Sequence, residues 1–381
     1  MPANSPSQLP VYLLTHEFHP SKGGIATFVE ELARGSAAIG HDVEVWAPRG
    51  DTQHDQQFPF SVRRIDLKGS HDLSCQVAMA RRIIRQHKKL KNGILHLCEP
   101  GPILAMSYLQ FFERFMPRKL VITFHGSEIL RFAANPFRKF LVNQLIQRAD
   151  RLTVLSEYTQ NLLEEKFPNS RNKTLLTPGA LRENFVAHHR DRSTPHTTVN
   201  ILSVGRIHPR KGQLLLIEAL NKLSLELQSR IHLRIVGTGN KHGYGDRLRH
   251  AAKKSAFPVD LCGEVTRQEL QDLYTEADLF ALTSTPHKHS VEGFGLVYLE
   301  AAAHGLPVIA HKTGGVSCAV NDKVNGLLAD PKHPEQLTAA FERLISDPQL
   351  RDTMGKNGRQ HATRSNWTQA AKAHFENWNL D

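Results

Sequence analysis

The chain has 381 residues, 40% hydrophobic and 22% charged, a balance that excludes a fibrous or low-complexity protein and implies two globular domains rather than one. The net charge of +11 is uneven, with 25 basic and 17 acidic residues up to Arg190 against 23 and 20 beyond it. Such a field draws nucleic acid, an anionic membrane surface or phosphorylated small molecules alike, so charge excludes none of the three.

In chain order, "VYLLT" from Val11 to Thr15 reads as a strand, "GGIATFVEELARGSAAIG" as an amphipathic helix opened by glycines, and "HDVEVWAP" as a second strand. This βαβ unit favours a parallel sheet. The rhythm continues with the basic helix "RRIIRQHKKLKNG", strand "ILHL", helix "PGPILAMSYLQFFERF", strand "KLVITFHG", a helix from Pro136 to Arg148 and strand "DRLTVLS". One domain is expected over residues 1–185, followed by the polar linker "VAHHRDRSTPHTT" from Val186 to Thr198.

A second series occupies 196–367: "VNILSVGRI", helix "GQLLLIEALNKLSLEL", "IHLRIVGTG", helix "YGDRLRHAAKKSA", "VDLCGEV", helix "TRQELQDLYTEA", "DLFALTS", then "SVEGFGLVYLEAAAHGLPVIA". The last stretch runs from a glycine loop into a helix that Gly305-Leu306-Pro307 ends. The tail, 368–381, is helical in pattern and is expected to return to the first domain. The fold class is therefore α/β, with two Rossmann-like doubly wound parallel sheets. Four cysteines without a C-x-x-C pair and a start, "MPANSPSQLP", without a signal-peptide pattern fit a reducing cytoplasm. The apolar run from Ile103 to Phe112 is about half of what a membrane span needs.

Ligands of open parallel sheets sit at the carboxyl ends of strands, so the residues just after each strand are the candidates. Gly23 and Gly24 stand before a helix, where bare N–H groups suit phosphate, or simply make a tight turn. His125, with Gly126 and Glu128, follows "KLVITF" at a ligand end. "RIHPRKG" places Arg206 and Lys211 on one short loop; Arg offers a planar fork and Lys a compact charge to a diphosphate, while a solvated basic loop is the alternative. "IVGTGNKHG" matches a dinucleotide fingerprint only at Gly237 and Gly239, with His242 where the third glycine belongs, which disfavours a nicotinamide or flavin enzyme.

Glu292 and Glu300 are eight positions apart. At about 1.5 Å rise per residue their backbones lie roughly 10 Å apart. That is wide for the carboxylate pair of a retaining glycosidase, about 5 to 5.5 Å, and suits the two ends of one elongated ligand or a solvated helix face.

Taken together, "PSKGG", "FHGSE", "VGRIHPRKG", "IVGTG", "ADLFALTS" and "EGFGLVYLEAAAHGLPVIA" followed by "TGG" and "NGLL" resemble the retaining nucleotide-sugar glycosyltransferases of family 4, over nearly the whole chain. The resemblance implies the GT-B fold, two Rossmann-like domains facing across a cleft that holds the active site. It implies Glu300 as the ribose-binding acid, Arg206 and Lys211 as the diphosphate clamp, and Glu292 with the backbone of Gly293, Phe294, Gly295 and Leu296 at the donor sugar and distal phosphate. Gly23 and Gly24 would approach the diphosphate, His125 the transferred sugar and Val265 the nucleobase, with Gly237 also on the donor side.

By the same resemblance a UDP- or GDP-sugar hexosyl donor is implied, with a glycan, glycolipid or small-molecule acceptor, retention through front-face substitution without a protein nucleophile, and no cofactor. No metal is expected, and the chain contains no D-x-D sequence. The departure is "TGGVSCAV", with Ser317 and Cys318 where the family commonly has Pro-Glu. Helix "ARRIIRQHKKLK" and aromatic "YLQFFERFMPRK" suit an anionic bilayer, for a cytoplasmic protein peripheral on the inner membrane face, or a core-packed helix with a solvated face. No nucleic-acid recognition module is present, and the surroundings of a pyridoxal-bearing lysine, as in phosphorylases of this fold, are missing. An inactive sugar-nucleotide-binding module is the rival from another class.

Overall fold

The apolar runs become strands because neighbours cover them on both faces. The four residues of β1 (Val11–Leu14) and of β4 (Ile94–Leu97) are all buried, the continuous burial of an interior parallel strand. With β2 (Val43–Pro48), β3 (Ser61–Ile65), β5 (Lys119–Phe124), β6 (Arg151–Val154) and β7 (Thr174–Leu176) they form a seven-stranded parallel sheet of order β3-β2-β1-β4-β5-β6-β7. A second parallel sheet comprises β8 (Val199–Val204), β9 (Ile231–Val236), β10 (Val259–Gly263), β11 (Leu279–Leu282), β12 (Val308–His311) and β13 (Gly326–Ala329), in the order β10-β9-β8-β11-β12-β13. These are the two doubly wound α/β domains the sequence implies.

The computed structural model describes residues 8–21, 23–50, 52–67, 72–183, 185–188, 197–376 and 378. The first seven residues, Lys22 of "PSKGG", 189–196 of the linker, and 377 and 379–381 of the tail lie outside the described residues. Contacts divide the chain into a unit of Met1–Glu183 with Ser365–Asp381 and a unit of Asn184–Arg364. In the first, Trp46, Met79, Leu97, Phe124 and Leu145 belong to one core; in the second, Ile201, Leu216, Leu233, Leu279 and Phe341 belong to another. Helix Trp367–Phe375 packs on helix Gly24–Ala38 so closely that a Cβ on Gly35 would stand 2.5 Å from the Trp367 carbonyl oxygen.

The structure corrects two local expectations and adds one strand. Strand β3, "SVRRI", was not anticipated, because it has no apolar run. It is an edge strand paired only with β2, and Arg64 is used inward, bonding Asp55 and the carbonyls of His19 and Pro48. Helix Pro100–Leu109 stops before "QFFERF": the buried Gln110 amide donates to the carbonyls of Ser107 and Leu141, and Phe112 is extended. "GQLLLIEALNKLSLEL" is two helices, Gln213–Leu220 and Leu225–Gln228, the second started by Ser224, whose hydroxyl accepts from the Leu227 N–H.

Candidate functional site

In each sheet the strand order reverses between two neighbours, β1 with β4 and β8 with β11, and ligands of doubly wound folds gather at the carboxyl ends of such strands. Beyond β8 the chain runs through Arg206 to Lys211 and Gly212; beyond β11 it runs through Thr283 and Ser284 to Glu292. Hydrogen bonds to main-chain carbonyls stitch these loops together. Thr285 N–H donates to the Arg210 carbonyl at 2.8 Å, Thr283 Oγ1 donates to that of Gly212 at 2.8 Å, and Gly315 N–H, in "TGG", donates to that of Glu292 at 2.8 Å.

Glu292 is the hub. Its Oε2 accepts from Lys211 Nζ at 2.6 Å, Arg210 Nη1 at 2.7 Å and Ser284 Oγ at 3.0 Å, and its side chain is only 10% exposed. Burial works to raise the carboxyl. The charges of Lys211 and Arg210, with hydrogen bonds from Lys211 and Ser284, outweigh it and hold the group down at about 2. Burial lowers the Lys211 ammonium in turn, with Arg210 and Arg206 adding to the effect against the pull of Glu292. One carboxylate thus pairs with two cations, while a third on the same loop, Arg206, is exposed and forms no ion pair among the described residues. The loop has a standing deficit of negative charge.

After Glu292 the chain turns through Gly293 to helix Leu296–Ala303. Gly295 has φ +86, and a Cβ there would stand 2.6 Å from the buried Tyr298 ring, so the turn needs glycine. Phe294 is buried, and the N–H groups of Phe294, Gly295 and Leu296 donate to no main-chain partner among the described residues, an arrangement that suits an anion. Glu300, half-buried on the helix, accepts from the Tyr274 hydroxyl at 3.3 Å. Burial, then the Glu300 charge, pushes that phenol well up.

Gly237, φ +135, lies under the same loop: a Cβ would meet the Gly205 carbonyl oxygen at 2.1 Å. Val265, half-buried, follows β10 and precedes the capping box of Thr266 and Glu269. The second unit therefore carries Arg206, Lys211, Gly237, Val265 and Glu292 to Gly295 on loops that follow its strands, with Leu296 and Glu300 on the helix that continues the last of them. Among the described residues no group of three or more His, Cys, Asp or Glu side chains is placed to hold a metal ion.

The first unit carries Gly23, Gly24 and His125. Around Gly24 a Cβ would meet nothing within 4 Å, so the fold does not require glycine there, whereas at Gly23 it would stand 3.3 Å from Glu17 Oε2. His125 Nε2–H donates to the Cys98 carbonyl at 2.8 Å, which fixes its tautomer, and Phe28 packs on the ring at 5.2 Å, nearly perpendicular. Buried Glu128 accepts from the N–H groups of His125 and Gly126 and so holds the turn.

Four polar residues escaped the sequence reading: Arg210, Ser284, His16 and Glu99. His16 Nδ1 meets the fully buried Glu99 carboxylate, whose Oε1 also accepts the His16 N–H at 2.6 Å. Each stands within two residues of a strand end or beside a residue already chosen, so the strand-end rule held the signal for all four.

Comparison with known proteins decides what this arrangement belongs to. The "Glycosyltransferase Family 4" domain matches residues 22–179 and "Glycosyl transferases group 1" matches residues 186–361. A GDP-mannose-dependent monoacylated alpha-(1-6)-phosphatidylinositol monomannoside mannosyltransferase of Corynebacterium glutamicum is 30% identical, over 92% of both chains. The chain belongs to the family-4 glycosyltransferases.

The glycosyltransferase is also similar to the GDP-mannose-dependent alpha-(1-6)-phosphatidylinositol monomannoside mannosyltransferase of Mycolicibacterium smegmatis, 28% identical over 93% of this chain and 94% of that one. Its fold is that of the sucrose-phosphate synthase from Thermosynechococcus elongatus, TM-score 0.79 at 21% identity over 96% and 97% of the chains. Two parallel-sheet domains of this kind are those of the GT-B glycosyltransferases, which act on nucleotide sugars. In this glycosyltransferase Ser317 and Cys318 fall in a short helix, Val316–Ala319, directly after the "TGG" turn that holds Glu292. Among the described residues no helix is long and apolar enough to cross a membrane.

Proposed function

We propose that this glycosyltransferase moves a hexosyl group from GDP-mannose, or a related GDP- or UDP-sugar, to a glycan or lipid-linked acceptor, with retention at the anomeric carbon and without a metal or other cofactor. The observation that carries the reading is the Glu292 hub. Two cations, Arg210 and Lys211, share one carboxylate, Arg206 on the same loop forms no ion pair among the described residues, and the N–H groups of Phe294 to Leu296 have no main-chain partner among them, which is the charge pattern a diphosphate completes.

Arg206 and Lys211 take the diphosphate and stabilise the charge that develops as it leaves. Among the described residues the hydrogen bonds to the Glu292 carboxylate fall on Oε2, which leaves Oε1 for a sugar hydroxyl. Glu300 takes the ribose and Val265 borders the base, while Gly237 lets the loop over β8 and β9 close. Gly23 and Gly24 meet the diphosphate and His125 the transferred sugar. The departing phosphate oxygen deprotonates the acceptor, so no protein nucleophile is assigned.

The mannosyltransferases named above act on phosphatidylinositol mannosides, and this chain has a surface fit for such company. Helix Leu73–Leu90 exposes Arg81, Arg85, Lys88 and Lys89. Nearby, Lys91 Nζ reaches the Glu113 carbonyl and Gln110 ties into Leu141, bringing exposed Phe111 and Phe112 together with Phe137 and Phe140 of helix Pro136–Arg148. Cations at headgroups and rings among acyl chains bind a peripheral protein to an anionic bilayer.

The decisive experiment is a melting-temperature panel with UDP-, GDP- and ADP-sugars, since a ligand that binds only the folded chain raises Tm. GDP-mannose is expected to give the largest rise, and no rise with any of them overturns the reading. Product anomer by NMR tests retention, turnover in chelator tests metal independence, and co-sedimentation with anionic liposomes at low salt tests the bilayer surface.

A further inference from the structure

Within "RIHPRKG", His208 sits between the two cations assigned to the diphosphate. Its Nδ1 accepts the Arg210 N–H at 3.1 Å and so caps the single turn Pro209–Lys211. A nitrogen that accepts carries no proton, so in the neutral ring the proton is on Nε2. The ring is half-buried; no hydrogen bond to Nε2 is formed among the described residues, and the His287 ring approaches edge-on at 5.8 Å. The charges around it are positive, Lys241 from the segment after β9 and Arg206 and Arg210 from its own loop, with the His287 ring from the loop after β11 beside it. The Glu292 carboxylate, on the loop after β11, is already bonded to Arg210 and Lys211.

We propose that His208 is a further donor-binding residue, a neutral imidazole whose Nε2–H hydrogen-bonds a phosphate oxygen of the nucleotide sugar held by Arg206 and Lys211. The assignment rests on the donor reading above. An N–H group without a partner, fixed in tautomer by its own backbone and set in a field of cations, is complementary to an anion and to little else. Neutrality follows from the same surroundings. Burial, then Lys241, Arg210, Arg206 and His287, hold the ring down to about 4, so it carries no charge near neutral pH. A neutral donor adds direction without further mutual repulsion in a loop already crowded with positive charge.

Capping and phosphate binding are separable by substitution. In His208→Asn the side-chain oxygen can still accept the Arg210 N–H, as asparagine does at helix starts, but nothing reaches the position of Nε2. In His208→Gln the amide N–H reaches toward that position. The probes are GDP-mannose and UDP-glucose, titrated calorimetrically into the full chain between pH 6 and 8, with Tm of the free protein beside them.

The expected result is an unchanged Tm for H208N, affinity at least about tenfold weaker than wild type, and partial recovery in H208Q. The ratio of wild-type to H208N affinity should stay constant with pH, because the ring does not titrate there. H208N binding as tightly as wild type overturns the proposal and leaves capping as the residue's role. A ratio that shrinks as the pH rises overturns the neutral-donor assignment, since it marks an imidazolium. If the wild type binds neither nucleotide sugar, the donor reading fails first, an outcome distinct from both.

Discussion

Replacing Glu292 by Gln separates two roles of that residue, because stability and nucleotide affinity should move in opposite directions. The carboxyl is held at about 2 when folded, against 4.5 for the unperturbed group. At about 1.4 kcal/mol per pKa unit this corresponds to about 3 kcal/mol of stability at neutral pH, and the 10% exposure of the side chain leaves little solvent to screen it. Removing one partner of a buried ion pair costs a similar amount. For a unit of this size, E292Q should therefore melt about 6 to 12 °C lower. Since the folded value lies below the unfolded one, the wild-type contribution is complete above pH 4.5 and is lost as the pH falls toward 2. Meanwhile Lys211 and Arg210, relieved of their counter-ion, should bind GDP or UDP several-fold more tightly, while transfer from the nucleotide sugar falls. Sugar-free nucleotides are the right probes, because they exclude the sugar contact assigned to Oε1. An unchanged Tm together with weaker GDP and UDP binding would refute the counter-ion reasoning.

Glu300→Ala should abolish the preference for GDP over its 2′,3′-dideoxy analogue, a loss of about 1 to 3 kcal/mol in binding of the ribo form only; equal losses for both would point away from the ribose. Gly24→Ala should keep wild-type Tm, since a Cβ meets nothing there, yet lower kcat/KM for the nucleotide sugar; full activity would remove Gly24 from the diphosphate site. Buried His374, which burial holds down to about 4 although its Nδ1–H donates to the Ala370 carbonyl, should make the first unit acid-sensitive. The unfolded chain takes up the proton from about 6.5 downward while the folded ring does not, so stability falls between 6.5 and 4. From pH 7.5 to 5 the loss is about 2 kcal/mol, and H374F should show a shallower fall in urea midpoint over that range.

The fold was legible where burial repeats a simple pattern. "VYLL", "ILHL" and "LFAL" are interior strands whose every residue is covered, so apolar runs and strands coincide. Legibility failed at the rim. The edge strand "SVRRI" owes its conformation to pairing with β2 and to Arg64 bonding across three segments, neither of which leaves a periodic mark. The end of helix Pro100–Leu109 depends on the Leu141 carbonyl, 31 positions away, which attracts the Gln110 amide. Local propensity carries no information about a partner so distant in sequence.

The candidate site shows the same division in sharper form. Lys211 and Glu292 could be chosen singly, as a cation and an acid after strands, but the family resemblance assigned them separate errands on one ligand. In the folded chain they are bonded to each other, and Arg210, passed over as a neighbour, shares the same oxygen. Residue type predicts what a side chain offers; only the fold decides whether the offer is already taken. On the proposed donor reading, Glu292 would act on a diphosphate chiefly by limiting how much positive charge Lys211, with its neighbour Arg210, presents, and nucleotide binding would be a balance between an internal carboxylate and an external anion competing for that charge. Such a balance would ease release of the nucleoside diphosphate product, which a loop of cations alone would hold more tightly.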